Sequence, residues 1–455
     1  VTFSGSETTA GLAPAMPVSG TGIPVGATIT TVDTTTTITL SANPTGGTLT
    51  GQSLVFLDLT RVAHVNGAEV LATGDSMLSI ATGTGGDPVL FNGRRYEGNG
   101  IGLSQITGYS FKPDLIWFKN RDQARQHSLY DSIRGIHQVI RTNSNAASAV
   151  PSSGATAGVS AFNSDGVTLG SSGSGHGNVE NNINEVSQSL VSWAWKAGGA
   201  PSATNDNTSG AMDANSVSLS GTLQSAYTPS GSPSIYPKKM SINTAGGFSI
   251  VQYTGTGANA TIPHGLSQRP DMIIHKKTGA TGDWIVWHKD LTNAIATTGT
   301  INDYRIYLNY NLAQGGSSNT TWNNTVPTSS LVSLGTNGHT NIVSVDFIMY
   351  AFHAVSGVSA FGTYEGNASQ QTIVYSGSNE FTARWILIKN ADNANDWQVF
   401  DVFRGLGANN STASRSSQPN TSGIEQSGVG ITTTTNGFVF TDGSTVLNAS
   451  SYTYI

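Results

Sequence analysis

The sequence predicts an almost wholly β protein: tandem antiparallel β-sandwiches of the jelly-roll or immunoglobulin-like kind, after a small N-terminal β-meander. Three observations lead there. Short apolar runs with period-two patterning recur, as in LIWFK and LVSWAW, and that spacing sets successive side chains on opposite faces of a strand. Gly is abundant, with 54 residues in 455, and Thr runs such as Thr34–Thr37 and Thr432–Thr435 favour extended backbone. Few segments carry Ala, Leu, Glu and Lys at a period near 3.6, so long amphipathic helices are not expected.

Composition narrows the function classes. Only 11% of residues are charged, against about 25% in a typical soluble protein. A net charge of −6 and a pI near 5.8 argue against a nucleic-acid partner, which requires a basic stripe. Without cysteine there is no disulfide and no thiolate metal site. The strongest apolar run, IVSVDFIMYAFHAV, is interrupted by Asp346 and His353, so no membrane insertion is expected. No basic-then-apolar signal segment opens the chain, and Val1 in place of Met leads to the expectation of a piece or a processed product.

In chain order, residues 1–58 form the N-terminal unit. Gly-rich turns there separate ATITTV, TTITL and SLVF, as a β-meander with small side chains would require. Residues 59–90 are a transition. Three copies of one unit of about a hundred residues follow, at 91–198, 248–358 and 359–455. Each opens on an aromatic-Gly phrase: Tyr96-Glu97-Gly98-Asn99, Tyr253-Thr254-Gly255-Thr256 and Tyr364-Glu365-Gly366-Asn367. Each continues into an apolar strand closed by Lys119, Lys276 or Lys389. Eight residues past that Lys come His127, Trp284 and Trp397; at ten come Leu129, Val286 and Val399; at eleven Tyr130, Trp287 and Phe400; at twelve Asp131, His288 and Asp401.

Asp165-Gly166 and Asn436-Gly437 mark tight turns before further strands, with SSLVSLG as the looser counterpart in copy two. Copies one and two close on alternating aromatic strands, LVSWAW and FIMYAF. In copy three, Tyr452-Thr453-Tyr454-Ile455 matches only the start of that strand, and the natural chain is expected to continue. Residues 199–247, rich in Gly, Ser, Thr and Asn, read as a connector that either holds one or two strands around SVSLSG or acts as a surface linker.

The phrases YEGNG, KPDLIWFKNRD, HSLYDSIRG, SWAWKAGGAPSATN and GFSIVQYTGTGANATIPHGL resemble a repeated domain of tail-fibre and related virion structural proteins of tailed phages, especially of marine bacteria. The N-terminal VSGTGIP phrase is similar to a short β-repeat of phage structural proteins. The resemblance implies a virion-surface, extracellular protein, assembled in the host cytoplasm, that takes part in host recognition. It implies a homotrimer whose partners are other virion tail proteins and a host surface polysaccharide or outer-membrane receptor. It brings no catalytic residue and no cofactor. A capsule-degrading depolymerase tailspike, a purely architectural head or tail fibre component and a bacterial surface adhesin are the alternatives.

Several residues invite a site reading. The Asp-x-x-Arg-Gly element, Asp131 with Arg134 and Asp401 with Arg404, reads either as a sugar or carboxylate contact or as a turn. In the turn, which the residues favour, Arg pairs with Asp and Gly takes positive φ. The repeated Trp and Tyr positions suit sugar stacking, but recurrence at fixed strand offsets points to a shared core. Trp322, alone in GGSSNTTWNNTVPTSS, is expected to contact a ligand or a neighbouring subunit. Asp392, Asn395 and Asp396 place oxygen ligands at a spacing calcium accepts, without the Gly and distal Glu of an EF-hand. His176, His264 and His339 sit in Gly-containing segments with no His-x-His or His-x-x-x-His pair, so no metal is assigned. Asp131, Glu180, Glu185 and Asp346 are carboxylates that nothing in the sequence pairs for glycoside cleavage.

Overall fold

The computed structural model describes residues 90–149, 158–170, 179–291, 304–315, 319–375, 381–407, 414–428, 430–441 and 446–455, with short segments before residue 71. Two compact units divide the chain, Val1–Pro88 and Val89–Ile455. In the first, Ile29–Thr34 pairs antiparallel with Thr37–Leu40, where ATITTV and TTITL were expected as strands. Val18–Ser19 pairs with Val55–Phe56, and Ala63–Val65 with Ala68–Val70.

The second unit holds the three copies, and they share one main-sheet order. In copy one the antiparallel order is Ser128–Asp131, Leu115–Asn120, Ser189–Trp195, Phe91–Glu97. In copy two it is Trp284–His288, Met272–Lys277, Asp346–Phe352, Phe248–Thr254. Copy three keeps it in pieces: Gln398–Asp401 pairs with Trp385–Ile388, Thr453–Tyr454 pairs with Tyr364–Glu365, and an Asn390–Tyr454 bridge joins the pairs. Tyr454 lies opposite Tyr364 as Leu190 lies opposite Tyr96 and Phe347 opposite Tyr253, which sets the register of the closing strands.

A smaller second layer completes each sandwich. Copy one supplies Val159–Asn163, Gly166–Leu169 and Gln105–Thr107; copy two Leu331–Leu334 and Ala260–Pro263; copy three Ile431–Thr434, Gly437–Phe440 and Gln371–Val374. The all-β sandwich class is therefore as the sequence predicts. Among the described residues the one α-helix, Val179–Asn184, leads into the closing strand of copy one. The connector proves to be sheet: Lys239–Asn243 pairs antiparallel with Phe248–Thr254, and Val217–Leu219 lies parallel beyond it, paired in turn with Thr222–Leu223.

Period-two alternation gives each main sheet two buried faces. One faces its own second layer. In copy one that interior holds Ile116, Phe118, Tyr130 and Ala194; in copy two Ile273, Trp287, Phe347 and Met349; in copy three Ile386, Phe400 and Tyr454. The opposite faces meet in a fourth, common core. Leu115, Trp117, Leu129, Val191 and Trp193 of copy one pack there with Met272, Trp284, Val286, Ile348 and Tyr350 of copy two and Trp397 and Val399 of copy three. The three copies are thus one body and not beads on a string. Aromatic edges fasten it: Trp117 meets Trp193 at 5.6 Å, and Trp195 of copy one meets Trp385 of copy three at 5.4 Å, both near perpendicular. Such pairs add about 0.5–1.5 kcal/mol each beyond area burial.

Candidate functional site

The residues eight and ten past each Lys gather at this common core and its seams, whereas those at eleven, Tyr130, Trp287 and Phe400, fill the separate sandwich interiors. The side chain eight residues past each Lys crosses to a neighbouring copy. Trp284 of copy two donates its indole N–H to the carbonyls of Arg141 (2.9 Å) and Ser144 (3.1 Å) of copy one. Trp397 of copy three donates to Tyr307 O of copy two at 2.9 Å. His127 of copy one lies 3.1 Å from Gln418 O of copy three. Because Trp117 Nε1 donates to His127 Nδ1 at 2.8 Å, His127 donates through Nε2 to Gln418. Burial holds its pKa well below the ordinary histidine range, so the ring is neutral. The three contacts run two to one, three to two and one to three. Equivalent head-to-tail contacts that return to their start close a ring.

Asp131 and Asp401, twelve residues past the Lys, lie in two of the same seams. Tyr350 of copy two donates its hydroxyl to Asp131 Oδ2 at 2.7 Å, and Trp193 of copy one donates Nε1 to Asp401 Oδ2 at 3.1 Å. Each carboxylate also holds the Arg three residues on: Arg134 Nε at 2.6 Å and Arg404 Nε at 2.5 Å, with both Asp side chains fully buried. Gly135 (φ 88°) and Gly405 (φ 101°) then turn the chain in the left-handed region. The turn reading holds. Asp131, Arg134, Asp401 and Arg404 are buried and contact a neighbouring copy of the repeat within one chain. Copy two substitutes His288, whose Nδ1 accepts the Asp290 N–H at 3.3 Å; burial and then Lys289 push its pKa down to about 4.

The three lysines form a further set. Lys119 Nζ donates to the carbonyls of Asn120 (2.7 Å), Arg125 (3.0 Å) and, across the seam, Ser422 (3.4 Å). Lys276 Nζ donates to Lys277 O (2.6 Å) and, across the seam, Asn145 O (3.4 Å); Lys389 Nζ donates to Asn390 O (2.5 Å) and Asn393 O (3.2 Å). All three side chains are fully buried, and carbonyl oxygens accept their hydrogen bonds. Burial is the main force on each and pushes each pKa down to about 7.

At the loop ends a second repeated device appears, and sequence reasoning missed it. Tyr96, Tyr253 and Tyr364 donate their hydroxyls to the carbonyls of Ile183, Thr340 and Leu447 at 2.5–2.6 Å. The next residue is in each case a buried Asn, namely Asn184, Asn341 or Asn448. Its Oδ1 accepts the N–H of Asn99, Thr256 or Asn367, and its Nδ2 donates to the carbonyl of Ile101, Ala258 or Ser369. The Gly of the opening phrase lies against this clamp: a Cβ would fall 2.0 Å from Glu185 O at Gly98, 2.3 Å from Ile342 O at Gly255 and 2.0 Å from Ala449 O at Gly366. Ser187, Ser344 and Ser451 take positive φ at matching positions. The available signal was an Asn six residues ahead of Leu190, Phe347 and Tyr454.

The remaining expectations fare differently. Trp322 is not at an exposed contact: it is 1% exposed, packs against His275 at 5.3 Å and donates Nε1 to Tyr304 O at 2.9 Å, inside the copy-two core. Its loop folds back over the sheet, which sequence neighbours could not reveal. Asp392, Asn395 and Asp396 do not converge on one point. Asp392 accepts Thr453 N and Gln314 Nε2, Asp396 accepts Asn420 Nδ2, and Asn395 N donates to Asn393 O. Among the described residues no three His, Cys, Asp or Glu side chains are grouped to hold a metal ion. His264 accepts Leu266 N, and His339 accepts Asp283 N. His176 and the side chain of Glu180 lie outside the described residues. Glu185 pairs with Arg125, and Asp346 with Lys238.

A family described as a domain of unknown function (DUF7483) matches residues 88–233 and 225–455. The chain belongs to this family. The two matches span all three copies and the connector, the whole of the ring-forming unit. No curated protein and no solved structure matches the chain. In this chain the Trp, His and Asp positions eight and twelve past the Lys in copies one and three serve seams, and the three clamped loop ends carry exposed residues in each copy.

Proposed function

We propose that this protein is a virion structural protein of a tailed phage, a tail fibre component that contributes to host attachment by multivalent, weak contacts with surface glycans. The observation that carries the reading is the set of three loop ends at 98–103, 255–259 and 366–370, each held by the same Tyr, Gly and Asn clamp. In a closed ring, equivalent loops face one end together. Exposed residues there include Ile101, Leu103 and Val186 in copy one and Ile342 and Val343 in copy two. Rigid loops on a rigid scaffold lose little entropy on binding. Three linked weak contacts gain about 10²–10⁴ in avidity over one. The Asp131–Arg134 and Asp401–Arg404 pairs, Trp284, Trp397 and the three lysines all have structural partners at the seams, which supports a non-enzymatic role.

The test is retention of host cells and isolated host polysaccharide on the immobilised full chain. Retention that falls steeply when the loop ends of two copies are replaced together is expected. An unchanged polysaccharide chain length after incubation is expected too. Absence of any retention, or shortened polysaccharide, would overturn the reading.

A further inference from the structure

Copy two departs from the repeat at one place on its surface. The carbonyls that face the side chain eight past each Lys belong to equivalent residues, Arg141, Tyr307 and Gln418. Two residues on, Asn143, Asn309 and Asn420 accept the backbone N–H of His127, Trp284 and Trp397. The next position is Ser144 in copy one and Thr421 in copy three, but Tyr310 in copy two. Tyr310 is 40% exposed, and its ring meets the Tyr307 ring edge-on at 5.9 Å. Packing does not call for an aromatic where the other copies hold Ser and Thr.

Beside it lies a second departure. Two residues ahead of the clamp residues Asn184 and Asn341 stand Asn182 and His339. Asn182 accepts the backbone N–H of Gln126 at 3.0 Å, and His339 Nδ1 accepts that of Asp283 at 2.9 Å. Copy three has Val446 there. Since Nδ1 accepts, the proton of His339 lies on Nε2. Burial first, opposed by Asp283 and aided by Lys277, Arg305 and Lys276, lowers the His339 pKa, so the ring is neutral near pH 7. The side chain is 37% exposed, and among the described residues no acceptor takes the Nε2 proton.

A continuous run of contacts joins the two. Asp283 Oδ2 lies 3.8 Å from His339 Nδ1, and Asp283 Oδ1 accepts Asn309 Nδ2 at 3.0 Å. The same carboxylate is the first cause of a raised pKa at the Tyr310 hydroxyl, which sets the two side by side. On the far side His339 N donates to Asn337 Oδ1 at 2.8 Å and Asn337 Nδ2 to Thr321 Oγ1 at 3.3 Å. Arg305 donates to Thr321 Oγ1 at 3.0 Å and to the Tyr307 hydroxyl at 3.2 Å. These bonds occupy Asn337, Thr321 and Arg305. The exposed groups left over are the Tyr310 ring, His339 Nε2 and the Asp283 carboxylate, whose side chain is 17% exposed.

We propose that Tyr310, Asp283 and His339 form a subsite for a neutral pyranose sugar, with the apolar face of the sugar on Tyr310, hydroxyls donating to Asp283 and a hydroxyl oxygen accepting the His339 Nε2 proton. An exposed aromatic face beside a few fixed polar groups suits such a ring. The Asp283 charge disfavours an acidic sugar, and the Arg305 cation is already engaged. His339 and the clamp residue Asn341 share one loop, so the subsite adjoins the copy-two loop end. The choice of a sugar rests on the attachment reading; the exposed cluster does not.

Saturation-transfer NMR of the full chain with the methyl pyranosides of D-glucose, D-galactose and D-mannose, and with sodium D-glucuronate, tests the subsite. At least one pyranoside receives saturation, and more than glucuronate does. Tyr310→Ser and His339→Asn each set the copy-one residue at its equivalent place, so the melting temperature is kept. Each weakens that pyranoside at least about tenfold. Tyr310→Phe keeps the ring and most of the binding. No saturation of any pyranoside, or unchanged affinity in Tyr310→Ser, would overturn the subsite. Glucuronate ahead of all three would overturn the neutral-sugar assignment. Pyranoside binding by a chain that retains no host cells would uphold the subsite and overturn the attachment reading.

Discussion

Replacing Asp401 by Ala tests whether the seam between copies one and three is held as described. The Asp401 carboxylate is fully buried, accepts Arg404 Nε at 2.5 Å and accepts Trp193 Nε1 of the neighbouring copy at 3.1 Å. Truncation leaves Arg404 buried without its main counter-charge and the indole N–H without an acceptor. Breaking a buried pair from one side costs about 3–5 kcal/mol. Glu425 lies 3.6 Å from Arg404 Nη1 and takes up part of that charge, which sets the expectation near the lower end of the range. Urea denaturation followed by tryptophan fluorescence reads the loss directly, since Trp193 lies in the seam. The control is Ser225→Ala at an exposed position. A loss below about 1 kcal/mol, the scale of an ordinary surface change, would refute the claim that this carboxylate ties two copies together.

Three further outcomes follow from the same geometry. Tyr350→Phe and Asp131→Asn are expected to be non-additive in a double-mutant cycle, with coupling of about 0.5–3 kcal/mol, because the hydroxyl donates to that carboxylate at 2.7 Å; additive losses would place them in separate seams. Lys119, Lys276 and Lys389 have folded pKa values pushed down to about 7 by burial, below the unfolded value of about 10.4. The unfolded chain therefore binds more protons between these values, so stability rises as pH climbs from about 7 toward 10 and levels off below 7. Urea midpoints from pH 6.5 to 9.5 check the slope, and a single Lys→Met change should reduce it. Gly366→Ala would put a Cβ 2.0 Å from Ala449 O, so the clamp must open; the expected loss is about 2–3 kcal/mol, with faster amide exchange at 366–370, and an unchanged midpoint would show the loop end to be loosely held.

Much of this molecule was legible in the chain because strand periodicity is a local property. Alternation in LIWFK and FIMYAF announced strands, and recurrence of the Tyr-x-Gly phrase, the Lys and the residues eight to twelve further on announced the three copies. The Asp-x-x-Arg-Gly turn was readable too, since Asp131 and Arg134 are three residues apart and meet without help from the rest of the fold. Trp322 was misread because its neighbours in sequence are polar, while its neighbours in space, His275 and Tyr304, are contributed by distant strands.

What the sequence by itself determined is therefore the repeat, the strands and which side chains share a face. Only tertiary structure decided what covers the second face of each main sheet. Trp117, Trp193, Ile348, Tyr350 and Trp397 are as apolar as the residues pointing the other way, so both faces had to be buried, and a lone sandwich buries one. Covering the other required three copies in a ring, a non-local solution that follows from shape complementarity between whole sheets. No spacing along the chain records that fit.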